Sequence, residues 1–452
     1  MLKYIDLFAG CGGLSLGLEA AGCSLILAVE KSPMAAETFY RNIALPGATE
    51  DEWRNHESSE LPEQAKAGLV VGTVSSLLED TATMAAIDDI DIVAGGPPCQ
   101  GFSSAGRRNP EDSRNRLAWE FLDVVEQTSP RAVVIENVLG MNRRFAGSDD
   151  TVFAQLKGAL AATGTGYIVQ GVLANAMHYG AAQHRPRMLL IGLRSDVADA
   201  RGIAATAEIW KSNFAGNGLS TVPALAPRPT TSESSAPVLI DAIGDLQNEM
   251  AANARARSFQ SSLRSLAPAA LKASGIPRNQ EPRRHGERAT ARFRLYQWLD
   301  RQGILRNAMR SVAADGREAA IAVTAQVGGD KYPALAPDGT LLARNPDELV
   351  NLLLDLRTRK HSQRVLRWDQ PSPTIVTLPD DHVHPTEPRI LTVRECARLQ
   401  GFPDSFTFHG KETTGSMRRR YEVPQYSQVG NAVSPLVGRA VGNVLKEVLQ
   451  EP

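Results

Sequence analysis

The chain has 452 residues, of which 42% are hydrophobic, and its formal net charge is −1. This length predicts two domains, and the sequence shows neither an apolar run of about 18 residues nor a charged-then-apolar leader, so we expect no membrane span and no signal peptide. The four cysteines (Cys11, Cys23, Cys99 and Cys396) have neither metal-ligand spacing nor a disulfide framework. We therefore expect a cytoplasmic protein without a metal site.

The small net charge hides an uneven distribution. Residues 1–98 carry fifteen acidic side chains against five Lys and Arg, whereas residues 255–310 carry thirteen basic side chains against three acidic ones. Blocks of arginine favour phosphate and base-edge contacts, so the second segment predicts a polyanionic partner. A solvated basic face would have the same composition.

The first predicted elements are a strand, a glycine turn and a helix. Residues 4–9 form the strand, Gly10-Cys11-Gly12-Gly13 the turn and residues 14–21 the helix. A second strand delivers Glu30, twenty residues after Gly10, where an acid can accept both hydroxyls of a ribose. The pattern predicts the first unit of a nucleotide-binding sheet, although Ser15 stands where the dinucleotide fingerprint has its third glycine.

The most informative stretch is GGPPCQGFS at residues 95–103, which follows a short apolar run. The two glycines permit a sharp turn and the two prolines stiffen it, so Cys99 is expected on a rigid corner just beyond the sheet. Ligands bind at that edge in open α/β sheets. A buried structural cysteine is the alternative interpretation.

A second apolar run, residues 133–138, carries a carboxylate, Glu136, near its end. An isolated glutamate at a strand end is usually just solvated. If the two strands are parallel, however, Cys99 and Glu136 lie at the same edge, where a nucleophile and a proton donor would converge. The elements that follow are predicted as helices at residues 117–127 and 150–162 and as strands at residues 167–174 and 188–193.

At these residues the chain resembles the C5-cytosine methyltransferase family, whose motifs include the Pro-Cys loop and the Glu-Asn-Val strand end. DLFAGCGG at residues 6–13 resembles the family's S-adenosylmethionine loop, and Gln183-x-Arg185-x-Arg187 its Gln-x-Arg-x-Arg element. Residues 389–404 and 428–435 resemble the last two motifs. The resemblance covers about 250 residues in six motifs, all in the family's order.

The resemblance implies an α/β fold, an S-adenosylmethionine-dependent methyltransferase (Rossmann-like) mixed sheet with a second, smaller irregular target-recognition domain. Residues 1–195 together with 426–452 would form the catalytic domain that binds the cofactor. Residues 196–425 would form the target-recognition domain that binds DNA. Residues 46–66, which are polar and acidic, are expected to form a surface insertion.

The resemblance also implies roles for individual residues. Cys99 would attack C6 of the cytosine, Glu136 would act at N3, Arg187 at O2, and Arg185 would support the loop or the substrate. The residues expected to bind the cofactor are Phe8, Ala9, Gly10, Gly12, Gly13, Glu30, Lys31, Thr73, Pro98, Leu117, Asn431 and Val433. The residues expected to contact DNA are Gln100, Arg107, Arg108, Arg283, Arg284, Arg292 and Arg294.

Two positions depart from the family's pattern. Thr73 stands where an aspartate usually bonds the adenine, so Thr73 or a neighbour such as Asp80 substitutes, or the contact is weaker. Ala432 replaces a serine found in many members.

The expected reaction is methyl transfer from S-adenosylmethionine to C5 of a cytosine flipped out of a specific duplex DNA sequence. The alternatives are a tRNA cytosine-5 methyltransferase on the same scaffold and a catalytically silent DNA-binding regulator. The expected setting is bacterial, with the protein as a monomer associated with the nucleoid and, as a further partner, a cognate restriction endonuclease.

Overall fold

The computed structural model describes residues 1–98, 113–138, 151–217, 221–246, 253–271, 277–358, 360, 362–415, 418 and 421–450. Within these ranges, no helix has both the length and the apolar character needed to cross a membrane.

Among the described residues, an eight-stranded mixed sheet forms the centre of the fold, in the order β3-β2-β1-β4-β5-β7-β6-β8. Neighbours from β3 to β5 are parallel, β7 is antiparallel to both β5 and β6, and β8 is parallel to β6. Two short two-stranded sheets, β9 with β10 and β11 with β12, lie outside it. The strands are β1 (Lys3–Leu7), β2 (Ser24–Glu30), β3 (Leu69–Val71), β4 (Ile92–Gly95), β5 (Ala132–Asn137), β6 (Tyr167–Asn175), β7 (Pro186–Arg194), β8 (Ile209–Lys211), β9 (Ala334–Leu335), β10 (Leu341–Ala343), β11 (Arg364–Val365) and β12 (His382–Val383).

Helices connect the strands of the central sheet and make up much of the middle of the chain. They are α1 (Gly13–Ala20), α2 (Pro33–Phe39), α3 (Glu50–Ser58), α4 (Leu61–Lys66), α5 (Val74–Glu79), α6 (Thr81–Ala85), α7 (Ser113–Thr128), α8 (Val152–Ala162), α9 (Ser195–Arg201), α10 (Leu239–Ile243), α11 (Ala254–Arg264), α12 (Glu287–Arg301), α13 (Leu305–Asp315), α14 (Arg317–Ala325), α15 (Pro346–Asp355), α16 (Val393–Gln400), α17 (Gln425–Asn431) and α18 (Pro435–Gln450).

The alternation of side chains along each strand supplies both faces of the sheet with apolar groups. In β1, Ile5 belongs to an apolar cluster with Phe121 of α7. The preceding residue, Tyr4, belongs to a second cluster with Leu16 of α1 and Leu445 of α18. Strands buried on both faces need helices on both sides, as in doubly wound α/β folds. The α/β mixed sheet expected from the sequence is therefore confirmed.

The elements predicted for the central sheet match the structure to within a few residues. The third strand ends at Val71, and α5 begins at Val74 because Thr73 caps it. The acidic insertion at residues 46–66 contains α3 and α4, and it is held by stacking of His56 on Tyr40, with ring centroids 4.2 Å apart.

The middle of the chain is more helical than its sequence suggests. The arginine-rich segment contains α11, α12 and most of α13, and long irregular connections such as residues 212–217 and 221–232 precede it. The division of the chain into two domains at residues 195 and 426 stays a prediction.

Candidate active site

The carboxyl ends of neighbouring strands place the predicted site residues at one edge of the sheet. Strand β4 lies between β1 and β5, so the glycine turn after β1, the Pro97-Pro98 turn after β4 and Glu136 in β5 share this edge. Cys99, Gln100, Arg107 and Arg108 lie outside the described residues, and their predicted roles remain predictions.

The loop that leads to Cys99 is fastened to the end of β5. Asn137 Nδ2 donates a hydrogen bond of 2.9 Å to the carbonyl oxygen of Pro97. A Cβ on Gly96 would stand 3.2 Å from Glu136 Oε2, so this carboxylate lies close against the loop. The chain is thus held beside Glu136 two residues before the predicted nucleophile.

Glu136 is buried and forms an ion pair with Arg187, with 3.0 Å between Oε1 and Nε. Glu136 pairs with Leu189 of the antiparallel strand β7, which places Arg187 near the end of β5. Burial raises the pKa of Glu136, and Arg187 and Arg185 oppose this shift. Apart from the ion pair, Oε1 makes no hydrogen bond to any described residue. The site thus places a buried carboxyl group of raised pKa beside an arginine at the edge of the sheet.

Arg185 is buried near this pair and is bonded to the main chain of other segments. Its side chain is 1% exposed, and its guanidinium donates to the carbonyl oxygens of Ile375 (2.9 Å), Gly430 (2.7 Å) and Ala432 (2.8 Å). These bonds support the interpretation that Arg185 holds the structure around the site. The Arg187 side chain keeps 14% of its surface exposed, so it remains the arginine suited to meet a substrate.

Glu30 organises the predicted cofactor side of the edge. Its Oε2 accepts from the backbone N–H of Gly10 at 2.9 Å, and its Oε1 accepts from that of Ser32 at 2.8 Å. Burial raises the pKa of Glu30. Each carboxylate oxygen has lone pairs left over, so Glu30 can still accept from ribose hydroxyls.

The glycine turn is open on one side and closed on the other. Gly10 has a φ of +58°, and a Cβ there would meet no atom within 4 Å, which leaves room for a ligand. A Cβ on Gly13 would stand 2.2 Å from the carbonyl oxygen of Val433. The turn therefore packs against the segment that carries Asn431 and Val433, as the resemblance implies.

These features fit S-adenosylmethionine. The open space beside Gly10 would admit the cofactor, and the Glu30 carboxylate suits its ribose. Phe8, at a φ of 60°, and Ala9 are half-buried at the same turn, whereas Lys31, Pro98 and Asn431 are exposed around it. Within the described ranges, no group of three or more His, Cys, Asp or Glu side chains could hold a metal ion.

The two candidates for the adenine contact both cap helices. Thr73 is exposed and accepts from the backbone N–H of Ser76 at 3.1 Å, at the start of α5. Asp80 accepts from Thr83 at 2.9 Å, at the start of α6. Neither hydrogen bond excludes a further contact with the adenine. Leu117, which was also predicted to bind the cofactor, lies half-buried on α7.

Three of the described arginines that were predicted to contact DNA have partners within the protein. Arg294 forms an ion pair with Asp338 at 2.7 Å, and Arg292 donates to the carbonyl oxygen of Leu356 at 2.9 Å. Arg283 lies 3.3 Å from Asp380. Arg284 is exposed and has no hydrogen bond or ion pair to the residues that the structure describes, so of these four arginines it is the one most available to a phosphate.

Sequence reasoning did not single out two pairs of buried polar residues near the site. Ser15 Oγ donates to Asp6 Oδ2 at 2.5 Å beneath the glycine turn. Gln183 and Gln400 hydrogen-bond to each other although they are 217 residues apart. Asp6 and Gln400 lie inside matched motifs, but nothing in the local pattern indicates which distant residue each one meets.

Comparison with known proteins gives a consistent result. Residues 2–447 match the family model described as C-5 cytosine-specific DNA methylase. The chain is 28% identical over 445 residues to the type II methyltransferase M.DdeI of Desulfomicrobium norvegicum, covering 97% of this chain and 87% of that protein. It is 28% identical over 478 residues to M.AgeI of Thalassovita gelatinovora, covering 98% and 99% of the two chains.

A solved structure shares the fold. It is described as a DNA modification methyltransferase encoded within a prophage (E. coli), and it aligns over 100% of both chains with a TM-score of 0.53 and 21% identity.

Proposed function

The chain belongs to the C-5 cytosine-specific DNA methylase family and is a DNA cytosine-5 methyltransferase, and we propose that it methylates C5 of a cytosine flipped out of a specific duplex sequence. The observation that carries this proposal is the buried Glu136–Arg187 pair beside the fastened Pro97-Pro98 turn. S-adenosylmethionine would supply the methyl group. Phe8, Glu30 and the Gly10 to Gly13 turn would hold it.

The first proposed step makes cytosine C5 nucleophilic. The Cys99 thiolate adds to C6, and Glu136 hydrogen-bonds or protonates N3, so the electron pair of the C5–C6 double bond becomes available at C5. The raised pKa of Glu136 supports this role, because a carboxyl that keeps its proton at higher pH can donate it to N3. Arg187 stabilises the charge that builds on O2.

The remaining steps restore the base and the enzyme. Transfer of the methyl group to C5 would leave S-adenosyl-L-homocysteine; solvent water then accepts the C5 proton, N3 returns its proton to Glu136, the C6–S bond breaks and the C5–C6 double bond reforms. Cys99 is released as the thiolate. A free thiol has a pKa of about 8.5, and neighbouring cationic groups would lower it toward neutral pH. The chemistry requires the base outside the stack, since neither face of C6 is accessible within duplex DNA.

A setting in restriction and modification is supported by the relatives, which are named type II methyltransferases. A cognate nuclease acting on the same sequence is the partner that such a setting would provide.

The test is methylation by the purified protein with tritiated S-adenosylmethionine, on mixed-sequence duplex DNA and on tRNA in parallel, with bisulfite mapping of the product. We expect label in cytosines of one short DNA motif. If only the tRNA is labelled, the proposal that DNA is the substrate is wrong. A Cys99→Ser variant should bind the DNA and transfer no methyl group, whereas DNA binding without methylation by the unaltered protein would favour the regulator.

A further inference from the structure

Four separate segments of the chain meet in a buried polar cluster beside the candidate site. Gln183 and Gln400 are both fully buried, and Gln183 Nε2 donates to Gln400 Oε1. Buried amides are costly unless they are hydrogen-bonded. We call Gln183, Arg185, Ile375, Gln400 and Ala432 the glutamine junction, since the two amides link its other members.

Ile375 is held at both ends of its backbone. Its N–H donates to Gln183 Oε1 at 2.6 Å, and its carbonyl oxygen accepts from Arg185 Nη1 at 2.9 Å. Gln183 and Arg185 are two residues apart in an extended segment, so both side chains point to the same side. The segment around Ile375 is thereby fastened to the strand that continues to Arg187.

Ala432 is held in a similar way from the other side. Its carbonyl oxygen accepts from Gln400 Nε2 at 2.6 Å and from Arg185 Nη2 at 2.8 Å. Gln400 Nε2 also donates to the carbonyl oxygen of Val429 at 3.2 Å. A Cβ on Gly430 would stand 2.6 Å from the backbone of residues 376 and 377, so the two chains are in direct contact.

The junction therefore lies between the two halves of the site. On one side, Arg187 follows Arg185 by two residues and pairs with Glu136. On the other side, Val433 follows Ala432, and its carbonyl oxygen packs against Gly13 of the glycine turn. Gln400 reaches both sides, because one end of its amide bonds Gln183 and the other bonds Ala432.

We propose that Gln400 is a positioning residue that sets the separation between the substrate side of the site, at Arg187, and the cofactor side, at residues 431–433. This proposal rests on the proposed methyl transfer, which requires the two sides to meet at one carbon atom. A displacement of about 1 Å is enough to slow a reaction about 100-fold. Gln400 itself touches neither the base nor the cofactor.

The main experiment compares two substitutions of buried glutamines. Gln400→Met removes the hydrogen bonds that Gln400 makes to Gln183, Val429 and Ala432, at nearly constant volume. Gln170→Met is the matched control, because Gln170 is also buried and its amide bonds the main chain of Ala204 and Leu225, away from the site. The assay is steady-state methylation of mixed-sequence plasmid DNA with tritiated S-adenosylmethionine, beside thermal unfolding.

We expect Gln400→Met to lower kcat at least tenfold with the KM for DNA and for cofactor changed less than threefold, while Gln170→Met lowers Tm to a similar degree and leaves kcat nearly unchanged. An unchanged kcat in Gln400→Met, or an equal loss in both variants, would overturn the proposal. Failure of the proposed function would appear differently, as no methylation by the unaltered protein.

A second variant covers the case in which Gln400→Met does not fold. Gln400→Glu keeps the acceptor for Gln183 but, when ionised, cannot donate to Ala432. A buried carboxyl has a raised pKa, and its protonated form regains one donor. We expect kcat of Gln400→Glu relative to the unaltered protein to rise as pH falls from about 8.5 to about 6. A constant ratio, or failure of both variants to fold while Gln170→Met folds, would show that Gln400 supports the fold alone.

Discussion

Gly17 in the first helix and Gly438 in the last helix pack backbone against backbone. A Cβ on Gly438 would lie 3.2 Å from Gly17 Cα and 2.8 Å from the carbonyl oxygen of Leu14. Because α1 starts at the end of the glycine turn, this contact ties the turn to the C-terminal helix. The last motif thus returns to the first part of the chain, as the resemblance implied.

Gly17→Ala should destabilise the protein by about 1 to 3 kcal/mol, since the new Cβ would lie 2.3 Å from the carbonyl oxygen of Pro435 and 2.5 Å from Arg439 N. Backbone atoms cannot move aside unless the helices separate. Gly158→Ala in α8 is the control, because nothing lies within 4 Å of its Cβ. It should raise stability by about 0.5 to 1 kcal/mol. Urea denaturation measures the free energy of unfolding of both variants. Equal changes in the two variants would contradict the close contact between α1 and α18.

Asp6 should make stability depend on pH. Burial raises the pKa of this carboxyl from 3.8 to about 7. Between these values the unfolded chain loses the proton while the folded protein keeps it, so unfolding becomes easier as pH rises, by up to about 1.4 kcal/mol per pH unit. Above about 7 the contribution is constant.

Asp6→Asn keeps an acceptor for Ser15 and cannot ionise. The free energy of unfolding, measured in urea at several pH values, should fall in the unaltered protein as pH rises from 3.8 to about 7. The Asp6→Asn variant should not show this fall. Parallel pH dependences in the two proteins would show that Asp6 keeps an ordinary pKa.

Much of the fold could be predicted from the sequence, because short runs of neighbouring residues determine where the strands of the central sheet begin and end. Apolar runs predicted strands β1, β2, β4 and β5, and the residues that follow or end them, such as Gly10, Glu30 and Glu136, indicated the edge that these strands share.

Contacts between distant segments could not be predicted from the sequence. The bond between Gln183 and Gln400 and the packing of Gly17 on Gly438 depend on tertiary structure, which no local period encodes. Composition likewise could not indicate that Arg292 and Arg294 of the arginine-rich segment bond other parts of the protein, and their contacts with DNA remain predictions.

A substitution at Thr73 tests whether an aspartate at this position would strengthen the binding of S-adenosylmethionine. Thr73→Asp should still cap α5, because aspartate is as good an N-cap as threonine. It would add the carboxylate that the family usually places there, and a hydrogen bond to a charged group corresponds to about tenfold in affinity. We expect the Kd for S-adenosylmethionine, measured by calorimetry, to fall by about that factor. Thr73→Ser should change little, and identical Kd values for the two variants would place the adenine elsewhere.

Substitution of an arginine in the middle region should have a different effect depending on whether that arginine has a partner within the protein. Arg284→Ala should weaken DNA binding and reduce the slope of log K against log salt by about 1, as loss of one phosphate contact does. Arg294→Ala should leave that slope unchanged and lower Tm instead, because Asp338 loses its partner. Binding titrations of duplex DNA at several salt concentrations distinguish them, and an equal slope in Arg284→Ala and the unaltered protein would remove Arg284 from the interface.

Glu136 should govern the alkaline side of the activity profile. Its pKa is raised by burial, so the protonated form persists to higher pH than for an exposed glutamate, and activity should fall once pH exceeds that pKa. On the acid side, activity should fall as the Cys99 thiolate is protonated. Glu136→Gln can hydrogen-bond N3 but cannot deliver a proton, so kcat should drop about 100-fold or more and the alkaline decline should disappear. Rates of methylation from about pH 5.5 to about pH 9.5 test this, and an alkaline decline that persists in Glu136→Gln would assign it to another group.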